Sequence, residues 1–351
     1  MMKIAHLLPH SAQFPLENYS GRYEWVPRLA ELQIAQGHEV VIFAGPGSTL
    51  EGSRIVWQST ADGGVYKNKT MNNVALVETA FQVKSFDIYH SHFDYIHFFL
   101  GDLTEKPLIY TQHWRPSVET AKASRFNAQR NVLAVPPTNF MYQQNKELGV
   151  PSAETIYHGI DLELFSPKDV PLSDRLLFVG RVTPDKGVEE AIKIARDLNQ
   201  KLDIVGRVKE KDAGYWQQLA PLVDGEQIRY LGPKTQAELA VIFSQAKALV
   251  FPTKEPEAFG LVTVEAQACG TPVVISDIGP SKELVDHGKS GFVVKTLDEF
   301  TAAIRNIDSI DRKYCRQFAQ KFDIREMANH YDRLYSQLSE KPTAAPADTF
   351  H

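Results

Sequence analysis

The sequence is poor in the features that mark secreted, membrane-spanning or nucleic-acid-binding proteins. Its 351 residues hold only 2 cysteines, Cys269 and Cys315, far apart and in no CxxC pair. A disulfide framework or a structural zinc site needs more than that. No stretch approaches the ~18 consecutive apolar residues of a membrane span. Neither sign of charge dominates. Residues 1–166 carry 13 Lys+Arg against 16 Asp+Glu, and residues 167–351 carry 25 against 27. That balance gives no basic body for nucleic acid or for wholesale adsorption on anionic lipid. Three motifs are missing as well: HExxH, a GxGxxG after the first apolar run, and any Asp-x-Asp triplet. These absences count against a zinc hydrolase, an NAD-dependent dehydrogenase and a divalent-cation anchor for a diphosphate. The N-terminal MMKIAHLLPHS carries too short an apolar run for a signal peptide. The chain is therefore expected to be mature as written and cytoplasmic.

What the sequence does have is alternation. Strand-like and helix-like patterns succeed one another from the first residues, which predicts parallel sheets covered by helices. In the first half, strands are expected at Lys3–Leu8, His38–Ala44, Asp87–His90, Leu108–Thr111, Val132–Val135 and Thr155–Tyr157, with a helix over Gly21–Gln36. A proline- and charge-rich shift at Leu164–Arg175 reads as a linker. The pattern restarts with strands at Leu176–Val179, Leu202–Val205, Arg229–Leu231, Ala248–Phe251, Pro272–Ser276 and Gly291–Val294, and helices at Val188–Leu198 and Asp298–Ile307. Ile324–Leu338 reads as an amphipathic helix with Met327, Tyr331, Leu334, Tyr335 and Leu338 on one face. The small, polar tail after it reads as disordered. At this length two domains are expected, 1–166 and 167–322, followed by a helix over 323–338 and a tail over 339–351.

The most informative stretch is FPTKEPEAFGLVTVEAQACGTPVVIS, from Phe251 to Ser276. A strand gives way to a loop carrying Glu257; Phe259 and Gly260 then open a helix that contains Glu265. Glycine allows a ligand close to the backbone, and the free N–H groups of Gly260 and Leu261 suit a phosphate or diphosphate. Carboxylates at Glu257 and Glu265 suit the hydroxyls of sugar and ribose. The second stretch, FVGRVTPDKGVEEAI from Phe178 to Ile192, sets Arg181 and Lys186 after another strand, where two cations would neutralise a diphosphate.

Together these blocks resemble the retaining glycosyltransferases of glycosyltransferase family four. The resemblance is carried by Glu257-x7-Glu265 in EAFGLVTVEAQACGTPVV, by Arg181 and Lys186 in VGRVTPDKG, and by IYHGIDLELFSP, DIYHSHFD and LIYTQHW. It runs from Lys3 to about Leu338. It implies an α/β GT-B fold, two facing Rossmann-like domains with a C-terminal helix returning to the N-domain. It also implies roles. Glu257 would contact the donor sugar and Glu265 the ribose. Arg181 and Lys186 would hold the diphosphate, with Phe259, Gly260 and Leu261 at phosphate or donor. Leu231 would lie near the nucleobase and His113 by the reacting sugar. His10, Gly21 and His92 would belong to the acceptor-side loops. The family usually has two adjacent glycines before the first helix; here the loop reads Ser20-Gly21-Arg22.

Blander readings exist for each residue. A helical glutamate is usually solvated, but Glu265 is flanked by Val262, Val264 and Ala266. The bland reading of Arg181 is a cap on its own loop. The first half holds His6, His10, His38, His90, His92, His97, His113 and His158, 8 of the 11 histidines. Histidines in turns and cores commonly serve as hydrogen-bonding groups, and without ligand spacing a metal site is not expected. The expected activity is sugar transfer from a nucleoside diphosphate sugar, a UDP-sugar or else a GDP- or ADP-sugar, to an acceptor hydroxyl. No cofactor, metal or nucleic acid is expected to take part. A lipid acceptor would bring the protein to the inner membrane face. The rival readings are a GT-B phosphorylase or sugar-nucleotide epimerase, and a non-catalytic nucleotide-sugar-binding protein. Oligomeric state is not readable.

Overall fold

A computed structural model of the chain describes residues 1–15, 23–52, 54–59, 67–83, 85–127 and 131–340. Gly21, and residues 341–351 of the tail expected to be disordered over 339–351, lie outside the described residues, while Ser339 and Glu340 continue the last helix instead. Contacts divide the chain into two units: residues 1–157 with the segment from Ile324, and residues 158–323.

The first unit contains strands β1 (Lys3–Leu7), β2 (Glu39–Phe43), β3 (Val56–Gln58), β4 (Ile88–Ser91), β5 (Leu108–Thr111) and β6 (Val132–Val135). They form one parallel sheet in the order β3-β2-β1-β4-β5-β6. Helices α1 (Trp25–Ala35), α2 (Lys69–Gln82), α3 (Ile96–Leu100), α4 (Val118–Ser124) and α5 (Asn139–Leu148) connect them. The near-continuous apolar strands fit a sheet covered on both faces. Leu7, Phe43, Leu76, Phe98, Leu108, Tyr110 and Val132 belong to one core cluster. The strand expected at Thr155–Tyr157 does not form. The residues just before it touch β6 through a bridge between Ala134 and Ser152, and Ile156 N donates to Pro136 O. Pro136, Pro137 and Pro151 lack the N–H groups a further ladder needs.

The second unit has β7 (Leu176–Val179), β8 (Leu202–Val205), β9 (Ile228–Gly232), β10 (Ala248–Phe251), β11 (Val273–Ser276) and β12 (Gly291–Val294), in the order β12-β11-β10-β7-β8-β9. Its helices are α6 (Val188–Asp197), α7 (Ala213–Leu219), α8 (Gln236–Gln245), α9 (Leu261–Ala268), α10 (Ser281–Leu284), α11 (Leu297–Arg305) and α12 (Arg312–Ala319). The T-x-x-E at Thr235–Glu238 starts α8 as a reciprocal capping box. Val188, Ala191, Ile192 and Ala195 turn the apolar stripe of α6 onto the sheet.

The second unit begins at His158, ahead of the composition shift that predicted a boundary at 166/167. Backbone and guanidinium bonds explain the earlier division. Ile160 N donates to Phe322 O at 2.8 Å, and Arg316 of α12 donates to Leu162 O and Phe165 O at 2.9 and 2.6 Å. The same arginine caps α9 through Ala268 O at 3.0 Å. The last helix, α13 (Ile324–Glu340), belongs to the first unit. It packs on α1 through a face that includes Met327, Ala328, Tyr331, Leu334 and Tyr335.

Candidate functional site

In the second sheet, β7 and β10 are neighbours whose onward connections lead to opposite sides of the sheet. Such a reversal opens a crevice at the carboxyl ends of the two strands. The loops there are locked to each other. Lys254 N and Thr253 Oγ1 both donate to Asp185 O, at 2.9 and 3.1 Å. Gly187 has φ +76°, and a Cβ there would stand 2.0 Å from Pro252 O. Only glycine allows that approach.

The locked loops carry five of the predicted residues, Arg181, Lys186, Glu257, Phe259 and Gly260. Lys186 Nζ is hydrogen-bonded and ion-paired to Glu257 Oε1. Arg181 reaches Asp185 at 3.5 Å and stays 40% exposed. Burial opposes ionisation of Asp185, but hydrogen bonds and the cations Lys186 and Arg181 outweigh it, holding the carboxyl below its ordinary value. Gly260, with φ +104°, forms the N-cap of α9, and a Cβ there would meet Glu257 Cγ at 3.8 Å. Leu261 is the first residue of α9, so its N–H is among those with no partner inside the helix.

Glu265, Phe259 and Leu231 of this unit sit differently. Glu265 lies on the inner side of α9 and is 1% exposed, which rules out the solvated-surface reading. Phe259 is buried, its ring against His158 and Phe322 at 5.3 and 5.7 Å, so little of its side chain is left for a ligand. Leu231 is half-buried near the end of the edge strand β9. Both thiols are buried and pushed up to about 12, so neither is a thiolate nucleophile at neutral pH.

The first sheet has its own reversal, between β1 and β4, and histidines gather there. His6 and His90 are register partners on those strands. His92 follows β4 and His113 follows β5. His92 is buried and His113 half-buried; His92 Nδ1 and His113 Nε2 are 3.3 Å apart. Trp25 and Tyr23 cover His113 with ring centroids at 5.9 and 5.2 Å. His10 lies apart, in the turn after β1, where its backbone N donates to Asn73 at 2.9 Å.

His6, His90 and His92 offer nitrogens within 4.8 Å of one another, the one such grouping of three or more among the described residues. Each of their ring nitrogens already faces a protein partner: Gln33, Tyr335, Thr111, His113, or His6 and His92 mutually. The rings of His90 and His92 are also stacked at 4.4 Å. This is the geometry of a hydrogen-bonded cluster rather than of ligands aimed at one ion.

Residues 168–322 match the family described as "Glycosyl transferases group 1", and residues 25–164 match "Glycosyltransferase Family 4". The chain belongs to glycosyltransferase family 4. Among curated relatives of this family 4 protein is a D-inositol 3-phosphate glycosyltransferase of Mycobacterium marinum, 27% identical over 268 residues. That match takes in 66% of the chain and 57% of the relative, so the chain spans less than two thirds of that relative's length. A protein of the same name from Jonesia denitrificans is 26% identical over 356 residues, covering 83% of the chain and 84% of the relative.

Among solved structures, Anabaena HepE in complex with UDP and glucose superposes with a TM-score of 0.78 at 18% identity, covering 96% of this chain and all 100% of that one. Sucrose-phosphate synthase from Thermosynechococcus elongatus gives 0.78 at 21% identity, covering 96% and 99%. These likenesses establish the GT-B fold of the family 4 protein.

Sequence reading missed the partners of the predicted residues. Asp185, Gln33, His6, Thr111 and Tyr335 were not nominated. Asp185 lies inside VGRVTPDKG and was legible as a neighbour of two cations. Gln33 and Tyr335 are 302 residues apart, and no local pattern signals such a pairing.

Proposed function

We propose that this protein transfers a sugar from a nucleoside diphosphate sugar to an acceptor hydroxyl, with retention at the anomeric carbon. The observation that carries the reading is the locked pair of loops at the β7/β10 reversal. They bring Lys186, Glu257 and the Gly260-opened N-terminus of α9 into one place, with Arg181 on the same loop as Lys186. Support for a UDP-sugar comes from the structures of Anabaena HepE, which contain UDP and UDP-glucose.

In this reading the bond from the anomeric carbon to the diphosphate breaks while a bond to the acceptor oxygen forms on the same face. The acceptor proton passes to an oxygen of the departing diphosphate, so no enzymatic nucleophile is required. Negative charge grows on the leaving group, where Arg181, Lys186 and the N–H groups of Gly260 and Leu261 stabilise it. Glu257 holds sugar hydroxyls and Glu265 holds the ribose. Leu231 lies by the base, and His113 contacts the reacting sugar. His10 and His92 belong to the acceptor side. The fixed cations take the place of a metal, and the protein works in the cytoplasm.

A thermal-shift panel of UDP-, GDP- and ADP-sugars tests this. A ligand at 100 times its dissociation constant adds about 2.7 kcal/mol of apparent stability. A clear rise with one nucleotide series is expected; no rise with any of them would contradict the reading.

A further inference from the structure

At the carboxyl end of the first sheet, one line of hydrogen bonds passes through three imidazoles. Gln33 Oε1 on α1 is 2.8 Å from His6 Nε2. His6 Nδ1 is 3.2 Å from His92 Nε2, and His92 Nδ1 is 3.3 Å from His113 Nε2. Gln33, His6 and His92 are wholly buried. A neutral imidazole has one N–H donor and one lone pair, so the direction of one bond dictates the next. Burial pushes His6 down to about 4, which keeps it neutral at neutral pH.

The Gln33 amide sets the polarity of the line, its oxygen facing His6 and its nitrogen facing Tyr335. The amide oxygen of Gln33 can only accept, so His6 carries its proton on Nε2 and accepts at Nδ1. His92 must then donate from Nε2 and accept at Nδ1. His113 in turn donates from Nε2, with its lone pair on Nδ1. A second line sets the amide. Gln33 Nε2 donates to the Tyr335 hydroxyl of α13 at 3.2 Å, and that hydroxyl donates to His90 Nδ1 at 2.7 Å. His90 Nε2 donates to Thr111 Oγ1 at 2.7 Å, and Thr111 donates to the Tyr331 hydroxyl at 2.6 Å. Every direction in both lines agrees. Turning the Gln33 amide over would reverse them all together, so polarity is a two-state property decided at Gln33.

We propose that Gln33, His6 and His92 are positioning residues that hold His113 as its Nε2–H tautomer, and that Tyr335 ties this choice to the C-terminal helix. The tautomer decides which ring nitrogen of His113 donates and which only accepts. The catalytic half of this inference rests on the reading of His113 given under the proposed function. The tautomer half stands on the hydrogen bonds together with the orientation of the Gln33 amide.

The test is two-bond 1H–15N NMR correlation of the histidines in the full chain, combined with steady-state kinetics. Wild type is expected to show His113 protonated on Nε2 and unprotonated on Nδ1. Gln33→Met removes both amide groups at similar length. It should give mixed tautomers at His113 and lower kcat about tenfold or more, with KM for the donor little changed. Gln33→Glu keeps an acceptor facing His6 and should restore the wild-type tautomer and most of the rate.

An Nδ1-protonated His113 in wild type, or a Gln33→Met spectrum identical to wild type, would overturn the proposal. So would one equivalent of zinc retained by the purified chain and lost in His6→Gln. Should Gln33→Met fail to fold, the wild-type tautomer decides by itself. Full activity in His113→Ala would overturn the catalytic half, and the tautomer readout distinguishes that failure from a failure of the hydrogen-bond line.

Discussion

Lys186 and Glu257 form an ion pair between two loops that leave adjacent strands of the second sheet. Their side chains are 12% and 23% exposed, so the pair is shielded from solvent more than an ordinary surface salt bridge. In the proposed mechanism one member serves the diphosphate and the other the sugar. In that mechanism the pair would span the bond that breaks.

Replacing the cations should cost turnover more than folding. Arg181→Ala and Lys186→Ala each remove positive charge where the leaving group becomes negative, an effect on the order of 10²–10³ in kcat. Lys186→Ala should also lower the melting temperature more than Arg181→Ala, because it leaves a partly buried Glu257 without its cation. Comparing kcat and Tm for the two variants checks both statements. Wild-type turnover in both would place the diphosphate elsewhere.

Glu257→Ala should separate sugar from nucleotide. Affinity for the intact sugar nucleotide is expected to fall more than affinity for the bare nucleoside diphosphate, measured by calorimetric titration of each. Equal losses for the two ligands would contradict contact with the sugar.

The second unit was the more legible in the sequence, for physical reasons. Its chemistry is local: Arg181 and Lys186 share one loop, and Glu257, Gly260 and Glu265 share one strand-loop-helix passage. Its strands at Leu176–Val179, Leu202–Val205, Ala248–Phe251 and Gly291–Val294 fall where the sequence pattern predicts them. The first unit's edge strand β3 is three residues long with no fully buried residue, so it leaves no apolar run to read. The ladder expected at Thr155–Tyr157 was lost to prolines that only the pairing geometry makes decisive. The histidine line was invisible because it joins α1, β1, the ends of β4 and β5, and α13. Each histidine taken alone reads as an ordinary core or turn residue.

Buried neutral histidines make the fold sensitive to acid. His6 is pushed down to about 4, and His97 and His158 to about 3, all by burial. Their folded values lie below the ordinary 6.5. The unfolded chain therefore binds more protons between the two values, and stability falls as pH drops through that window. Stability is full above about pH 6.5, and each such histidine forfeits on the order of 2 kcal/mol by pH 5. Urea melts at pH 7.5, 6 and 5 should show a falling midpoint, and His97→Phe should flatten the slope. A midpoint unchanged down to pH 5 would contradict the assignment of neutral buried imidazoles.

Transfer should survive exhaustive EDTA treatment. The loops at the β7/β10 reversal bring fixed cations and helix N–H groups to the expected diphosphate position, and a divalent ion among them would be repelled. Glu257 is already committed to Lys186, and a single carboxylate anchors magnesium poorly. Activity that vanishes with chelator and returns with magnesium or manganese would overturn the charge assignment.

In the proposed function, α9 and the loops that follow β7 and β10 hold a nucleoside diphosphate. This is tested most directly by calorimetric titration of UDP, GDP and ADP into wild type and Glu265→Gln, with circular dichroism confirming that the variant folds. Glu265 is buried on the inner side of α9, and its proposed task is to accept the ribose hydroxyls. Loss of that charge-assisted bond should weaken the preferred diphosphate by about 1.5–3 kcal/mol, roughly ten- to a hundredfold in Kd, with the fold intact. Unchanged affinity in a folded Glu265→Gln variant, or no binding of any of the three diphosphates to wild type, would contradict the account.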